Sequence, residues 1–186
     1  MKRKKDYWLR EGKQSKKTLK IKKIVDKFNG DNLDKISQII RWYHKNIKYS
    51  HDTKRNIKIF AKRGVSKIIK DGFSTGCHDD AAVLAALFRS IGIPAKYLVG
   101  IDRINPKNRG HCVVEINIED RRILIEPEID SIGLDPRKSS FYRHNFIMKE
   151  GLDSWDCGIK TFEDWKKLSL KAQRHINKLG CNKNNC

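Results

Sequence analysis

Gly72-Phe73-Ser74-Thr75-Gly76-Cys77-His78-Asp79-Asp80-Ala81 sets a cysteine directly after a glycine and at the head of an apolar run. Ala81-Ala82-Val83-Leu84-Ala85-Ala86-Leu87-Phe88 follows, apolar on every face of a helical wheel. A helix of that kind belongs in the middle of a fold. The sequence therefore predicts a central buried helix over 77–91, stopped by Gly92, with Ile93-Pro94 starting the next segment. Unpaired amides and the dipole at a helix N-terminus favour negative charge, so Cys77 stands where a thiolate is expected to be stabilised. His78 neighbours it, but consecutive helix residues do not face each other, so His78 is read as surface or as a secondary site residue. Asp79 and Asp80 in the first turn complement the dipole.

Outward from this helix the pattern is mixed α and β. Upstream, a short helix is expected over 16–28, ending at Asn29-Gly30. Leu33, Ile36, Ile40, Tyr43 and Ile47 recur at helical spacing, which predicts an amphipathic helix over 32–48 capped by Asp31 or Asn32. A weaker helix covers 65–70. Downstream, 95–101 reads as a buried strand and 105–110 as a polar loop. The stretches 111–118 and Arg121–Glu126 read as a hairpin around Glu119-Asp120. The region 131–160 reads as irregular, and 162–177 as a closing helix that carries Trp165. No internal repeat appears.

The chain has 186 residues, of which 38% are hydrophobic and 34% charged, with a net charge of +19. Its length suits one domain with a real core. The expected division is a basic, poorly ordered N-terminus over 1–15, one domain over 16–180, and a polar tail over 181–186. No apolar run is long enough to span a bilayer, and none follows the basic N-terminus as in a signal peptide. The expectation is a cytoplasmic protein without membrane contact. Five cysteines in such a compartment read as free thiols, although Cys181 and Cys186 are close enough in sequence to pair. Residues 1–70 hold 23 Lys and Arg against 6 Asp and Glu. That bias fits either a solvated lysine-rich surface or contact with nucleic acid or another polyanion. No aromatic stacking platforms are interleaved with the basic residues.

Strand alternation puts His111, Val113 and Glu115 on one face and Cys112, Val114 and Ile116 on the other. Pairing around Glu119-Asp120 brings Glu126 toward the start of the first strand, where a carboxylate can orient a histidine. Glu128 and Asp130 share its parity and remain alternatives.

Gly76-Cys77-His78-Asp79-Asp80-Ala81, followed by Leu84-Ala85-Ala86-Leu87-Phe88-Arg89-Ser90-Ile91-Gly92-Ile93-Pro94-Ala95, resembles the nucleophile motif of the transglutaminase-like superfamily. His111-Cys112-Val113-Val114-Glu115-Ile116 resembles its histidine motif, with Val113 where the family usually has an aromatic residue. Ile125-Glu126-Pro127 resembles its Asp-Pro motif, with Glu in place of Asp. The amphipathic helix over 39–49 also matches. The resemblance covers roughly 33–130, with an echo near 162–170.

It implies an α+β, papain-like fold in which N-terminal helices and a central nucleophile helix pack on an antiparallel sheet. It implies a Cys77-His111-Glu126 triad acting on an amide of a protein or peptide substrate through a thioester. Hydrolysis is expected ahead of crosslinking. The backbone amide of Cys77 would serve the oxyanion, with Tyr49 as a candidate second donor and Asp79 as a supporting residue. The family's animal members use calcium and its glycan-releasing members carry paired Cys-x-x-Cys zinc sites. Neither pattern is present, so no metal and no cofactor is expected. The alternative is a non-catalytic module of the same fold that uses the basic N-terminal third to hold a polyanion. No oligomeric state is implied.

Overall fold

The structure, a computed structural model, describes residues 6–105, 110–126 and 131–178. Helices α1 (Leu19–Val25), α2 (Asn32–Asn46), α3 (Thr53–Ile59) and α4 (Val65–Asp71) precede the Cys77 segment. Between them lie two short strands, β1 (Lys48–Tyr49) and β2 (Phe73–Ser74), paired in parallel. The central helix α5 (Cys77–Ser90) leads into β3 (Ala95–Asp102), β4 (Gly110–Ile118), β5 (Arg121–Glu126) and β6 (Ser131–Gly133). A 3-10 turn (Pro136–Lys138), α6 (Ser140–His144), β7 (Asn145–Gly151) and α7 (Phe162–Lys178) complete the chain. The main sheet runs β6-β5-β4-β3-β7, antiparallel throughout. The fold is α+β.

The apolar circumference of α5 decides this arrangement. Every residue from Ala81 to Phe88 is at most 1% exposed. One side of the helix packs on β3 and β4, and other sides meet α1, α2 and α4. The sheet answers with alternation: Ala95, Tyr97, Val99, Cys112, Val114, Ile116, Ile123 and Ile125 join the α5 core. Leu98, Val113 and Leu124 face the other way, onto Phe141 of α6. Truncating a core residue such as Leu84 to Ala costs about 2–5 kcal/mol. The β4–β5 hairpin turns at Glu119-Asp120, both at positive φ of 47° and 66°. That pair of dihedrals suits the twist of adjacent strands.

α2 begins with a capping box, in which the Asp31 carboxylate accepts from Leu33 and Asp34 amides at 2.8 and 2.9 Å. The N-terminal stretch, expected to lie loose, has Gly12, Gln14 and Ser15 buried. The fully buried Asp153 carboxylate accepts from both backbone amides of Gln14 and Ser15 at 3.0 Å. Arg89, 1% exposed, donates to the carbonyls of Arg10 and Leu152. These bonds seat 10–15 against the end of α5 and the β7 turn.

Several elements depart from the sequence reading. The region 131–160, expected to be irregular, supplies β6, α6 and the edge strand β7. β7 is only half-buried and carries Lys149 and Glu150, so it lacks the apolar alternation of an interior strand. α3 has seven residues with only Asn56 buried, too few for a periodic signal.

Candidate active site

Gly76 is the N-cap of α5 at φ 140°, a backbone region open to glycine and strained for other residues. It turns the chain from β2 into the helix and leaves Cys77 as the first helical residue. Cys77 is partly buried, whereas Cys112 and Cys157 are buried free thiols. The Cys112 thiol and the His111 ring are the groups that act on the Cys77 thiol. Its pKa is pushed well above the ordinary thiol value, first by Cys112, then by burial, against the lowering influence of His111. The expected thiolate at a helix start is therefore replaced by a neutral resting thiol. Dense packing and a second sulfur outweigh the dipole.

His111 sits at the start of β4. Gly110 before it lies so close to α7 that a Cβ there would fall 2.5 Å from the Trp165 ring. The His111 ring meets Phe141 edge-on at 6.0 Å between centroids. Its Nε2 lies 3.8 Å from Oε2 of Glu126, whose side chain is 8% exposed. That is ion-pair range, longer than a hydrogen bond. Burial raises the Glu126 pKa and His111 offsets part of the rise. Cys77, His111 and Glu126 thus come together. Glu128 and Asp130 lie outside the described residues, as do Cys181 and Cys186. A cavity of about 440 Å³ opens beside His111 and Glu126, lined also by Asp102, Ile104, Phe141 and His144.

The flanking candidates fall differently. His78, expected on the surface, is 2% exposed. Its ring stacks on Phe60 at 3.8 Å and its Nε2 accepts from the Ala61 amide at 3.2 Å. Burial lowers its pKa and keeps it neutral. The reason is that α5 is enclosed from its first turn, so the residue beside Cys77 points into protein. Asp79 is fully buried. Its Oδ2 accepts from the Thr75 amide and hydroxyl at 3.0 and 2.8 Å and from Arg63 at 2.6 Å. It fixes the turn that presents Cys77. Asp80 accepts from the Tyr43 hydroxyl, tying α2 to α5. Tyr49 pairs with Ser74 in the β1–β2 ladder, 54% exposed, its ring against His51 at 5.1 Å.

Sequence alternation alone does not single out Cys112, because it sets this residue opposite His111. The signal was nonetheless present: the face shared with Val114 and Ile116 is the one α5 covers, and α5 begins at Cys77. Among the described residues, no cluster of three or more His, Cys, Asp or Glu could hold a metal ion, and no helix is long and apolar enough to cross a membrane.

Two solved structures are similar to the chain, the first of them sharing its fold. One is described as a putative cysteine protease from Cytophaga hutchinsonii, with a TM-score of 0.59 at 21% identity, covering 82% of this chain and 48% of that one. A second, described as a TGase, has a TM-score of 0.48 at 15% identity, covering 66% and 34% respectively. The chain thus spans about half the length, or less, of these structures. No curated protein matches. Residues 20–125 match the transglutaminase-like superfamily over more than half of the sequence, and with the Cys77, His111 and hairpin motifs all inside or bordering that span, the chain belongs to the transglutaminase-like superfamily.

Proposed function

We propose that the protein is a cysteine enzyme that transfers an acyl group from an amide of a protein or peptide substrate, through a thioester on Cys77, mainly to water. One observation carries the reading: a thiol at the head of a buried helix is acted on by a histidine that itself stands 3.8 Å from a carboxylate. Because the resting thiol is neutral, His111 removes its proton as the substrate docks, without a standing ion pair. The sulfur then attacks the carbonyl carbon. The Cys77 backbone amide, one of the free donors of the first helical turn, faces the developing oxyanion. The leaving amine takes its proton from His111 as the C–N bond breaks. His111 then activates water against the thioester, and Glu126 stabilises the imidazolium in both halves. Asp79 acts through the turn at Thr75, and Tyr49 stands as the candidate second oxyanion donor.

Incubation with unfolded casein and a biotin-linked pentylamine tests both the chemistry and the acceptor. The expected result is release of ammonia or new N-termini in excess of amine incorporation, all lost in Cys77→Ala. Turnover that survives Cys77→Ala contradicts the reading, and incorporation exceeding hydrolysis reassigns the acceptor to an amine.

A further inference from the structure

One basic stretch lies beside Cys77, and within it Arg63 and Lys67 are already paired with Asp71. Residues 48–70 contain eight Lys or Arg and a single acid, Asp52. That one carboxylate is occupied at the N-cap of α3, where it accepts from the Arg55 amide at 3.0 Å. The segment also lies against the nucleophile. The Ser50 amide donates to the Ser74 carbonyl at 2.9 Å, extending the β1–β2 pairing toward Gly76. The Arg55 guanidinium lies over the Phe73 ring at 4.2 Å. At the other end of α3, Phe60 stacks on His78 at 3.8 Å. α3 therefore brackets the stretch from Phe73 to His78, with Cys77 inside it.

Its outward face has one character. Lys54, Ile57 and Lys58 stand at i, i+3 and i+4, all exposed, with Ile57 45% exposed. Neither lysine has an ion-pair partner among the described residues. Tyr49 of β1 is 54% exposed. Cations surrounding an exposed aliphatic and an exposed aromatic residue suit a chain that alternates carboxylates with apolar side chains.

We propose that α3 and β1 form a substrate rim that selects acidic peptide segments next to the amide attacked by Cys77. The inference rests on Cys77 being the nucleophile. A peptide is favoured over nucleic acid because the cations form a short helical stripe with an aliphatic centre, without the series of stacking rings that bases use. Charge focused beside a reacting centre raises encounter rates and is screened by salt.

The test uses two peptidyl chloromethyl ketones of equal length, one with Asp and Glu at the flanking positions and one with Gln and Ser. Rates of Cys77 alkylation are read by peptide mass for wild type, Lys54→Glu/Lys58→Glu and Lys54→Gln/Lys58→Gln. The acid-to-neutral rate ratio is the readout, so any general change in Cys77 reactivity divides out. The ratio should be about tenfold at low salt, approach one at high salt, fall toward one in the Gln pair and invert in the Glu pair. Equal rates for both probes in wild type overturn the rim while leaving the nucleophile intact. Labelling that ignores His111→Ala overturns the underlying nucleophile reading, and the rim with it. Retention of polyuridylate that the Glu pair abolishes, with an unchanged peptide ratio, assigns the surface to nucleic acid and also overturns the proposal.

Discussion

Cys112 changes the account of Cys77 most. Its thiol is the leading reason Cys77 rests protonated, ahead of burial. Removing it with Cys112→Ala should therefore move the onset of Cys77 alkylation to lower pH, measurable as a shifted rate profile with iodoacetamide. A profile unchanged in the variant would leave burial alone as the cause. Glu126 yields a second prediction. Its pKa lies above the ordinary 4.5 because of burial, so it takes up a proton as pH falls while still above that value. Activity should decline on that acid limb as the charge facing His111 is lost. Glu126→Gln should cost about 10⁴-fold in turnover by analogy with other orienting carboxylates. Glu126→Asp should recover part of it only if the backbone can close the gap, since the present separation is already 3.8 Å.

At the scale of elements, the start of α5 is held by a buried ionic clamp. Arg63 bonds Asp79 at 2.6 Å and Asp71 at 3.1 Å, and lies over Phe73 at 4.3 Å. Arg63→Ala leaves the Asp79 charge unpaired, and should destabilise the fold by about 3–5 kcal/mol in denaturant titration. Gly76→Ala meets no close contact, its Cβ reaching the His78 ring at 3.6 Å, so its cost is the φ of 140° alone, about 1–3 kcal/mol. The legibility of the fold follows the same division. α2, α5 and the β4–β5 hairpin were readable because each carries a periodic apolar face and its own turn or cap chemistry. α3, α6 and β7 were not, because short or edge elements bury too little to print a period. The expected irregular region is instead what covers the second face of the sheet, through Phe141. In the candidate site, the approach of Glu126 to His111 was legible from the hairpin register. The burial of His78 and the part of Cys112 depend on how α5 is enclosed, which no local pattern states.

For the whole molecule, the enclosed first turn of α5 couples stability to pH. His78 has a folded pKa below its ordinary 6.5 because burial disfavours the charged ring. Above 6.5 it is neutral folded and unfolded, and has no pH-dependent effect. Below 6.5 the unfolded chain takes up a proton that the folded chain refuses, so stability falls as pH falls. The melting temperature should drop as pH falls below 6.5 in wild type and drop less in His78→Gln, which keeps an acceptor for the Ala61 amide. The same enclosure distinguishes Cys77, which is partly buried, from the other described thiols. Cys112 is fully buried, and Cys157 is 5% exposed with its pKa pushed up to about 12 by burial and by Asp156 and Asp153. The most direct measurement is therefore the site and rate of acetylation by p-nitrophenyl acetate, mapped by peptide mass. The account predicts a burst of p-nitrophenolate, acetyl on the peptide carrying Cys77, and loss of the burst in His111→Ala. Acetyl spread over other thiols at equal rates, or a burst indifferent to His111→Ala, would contradict it.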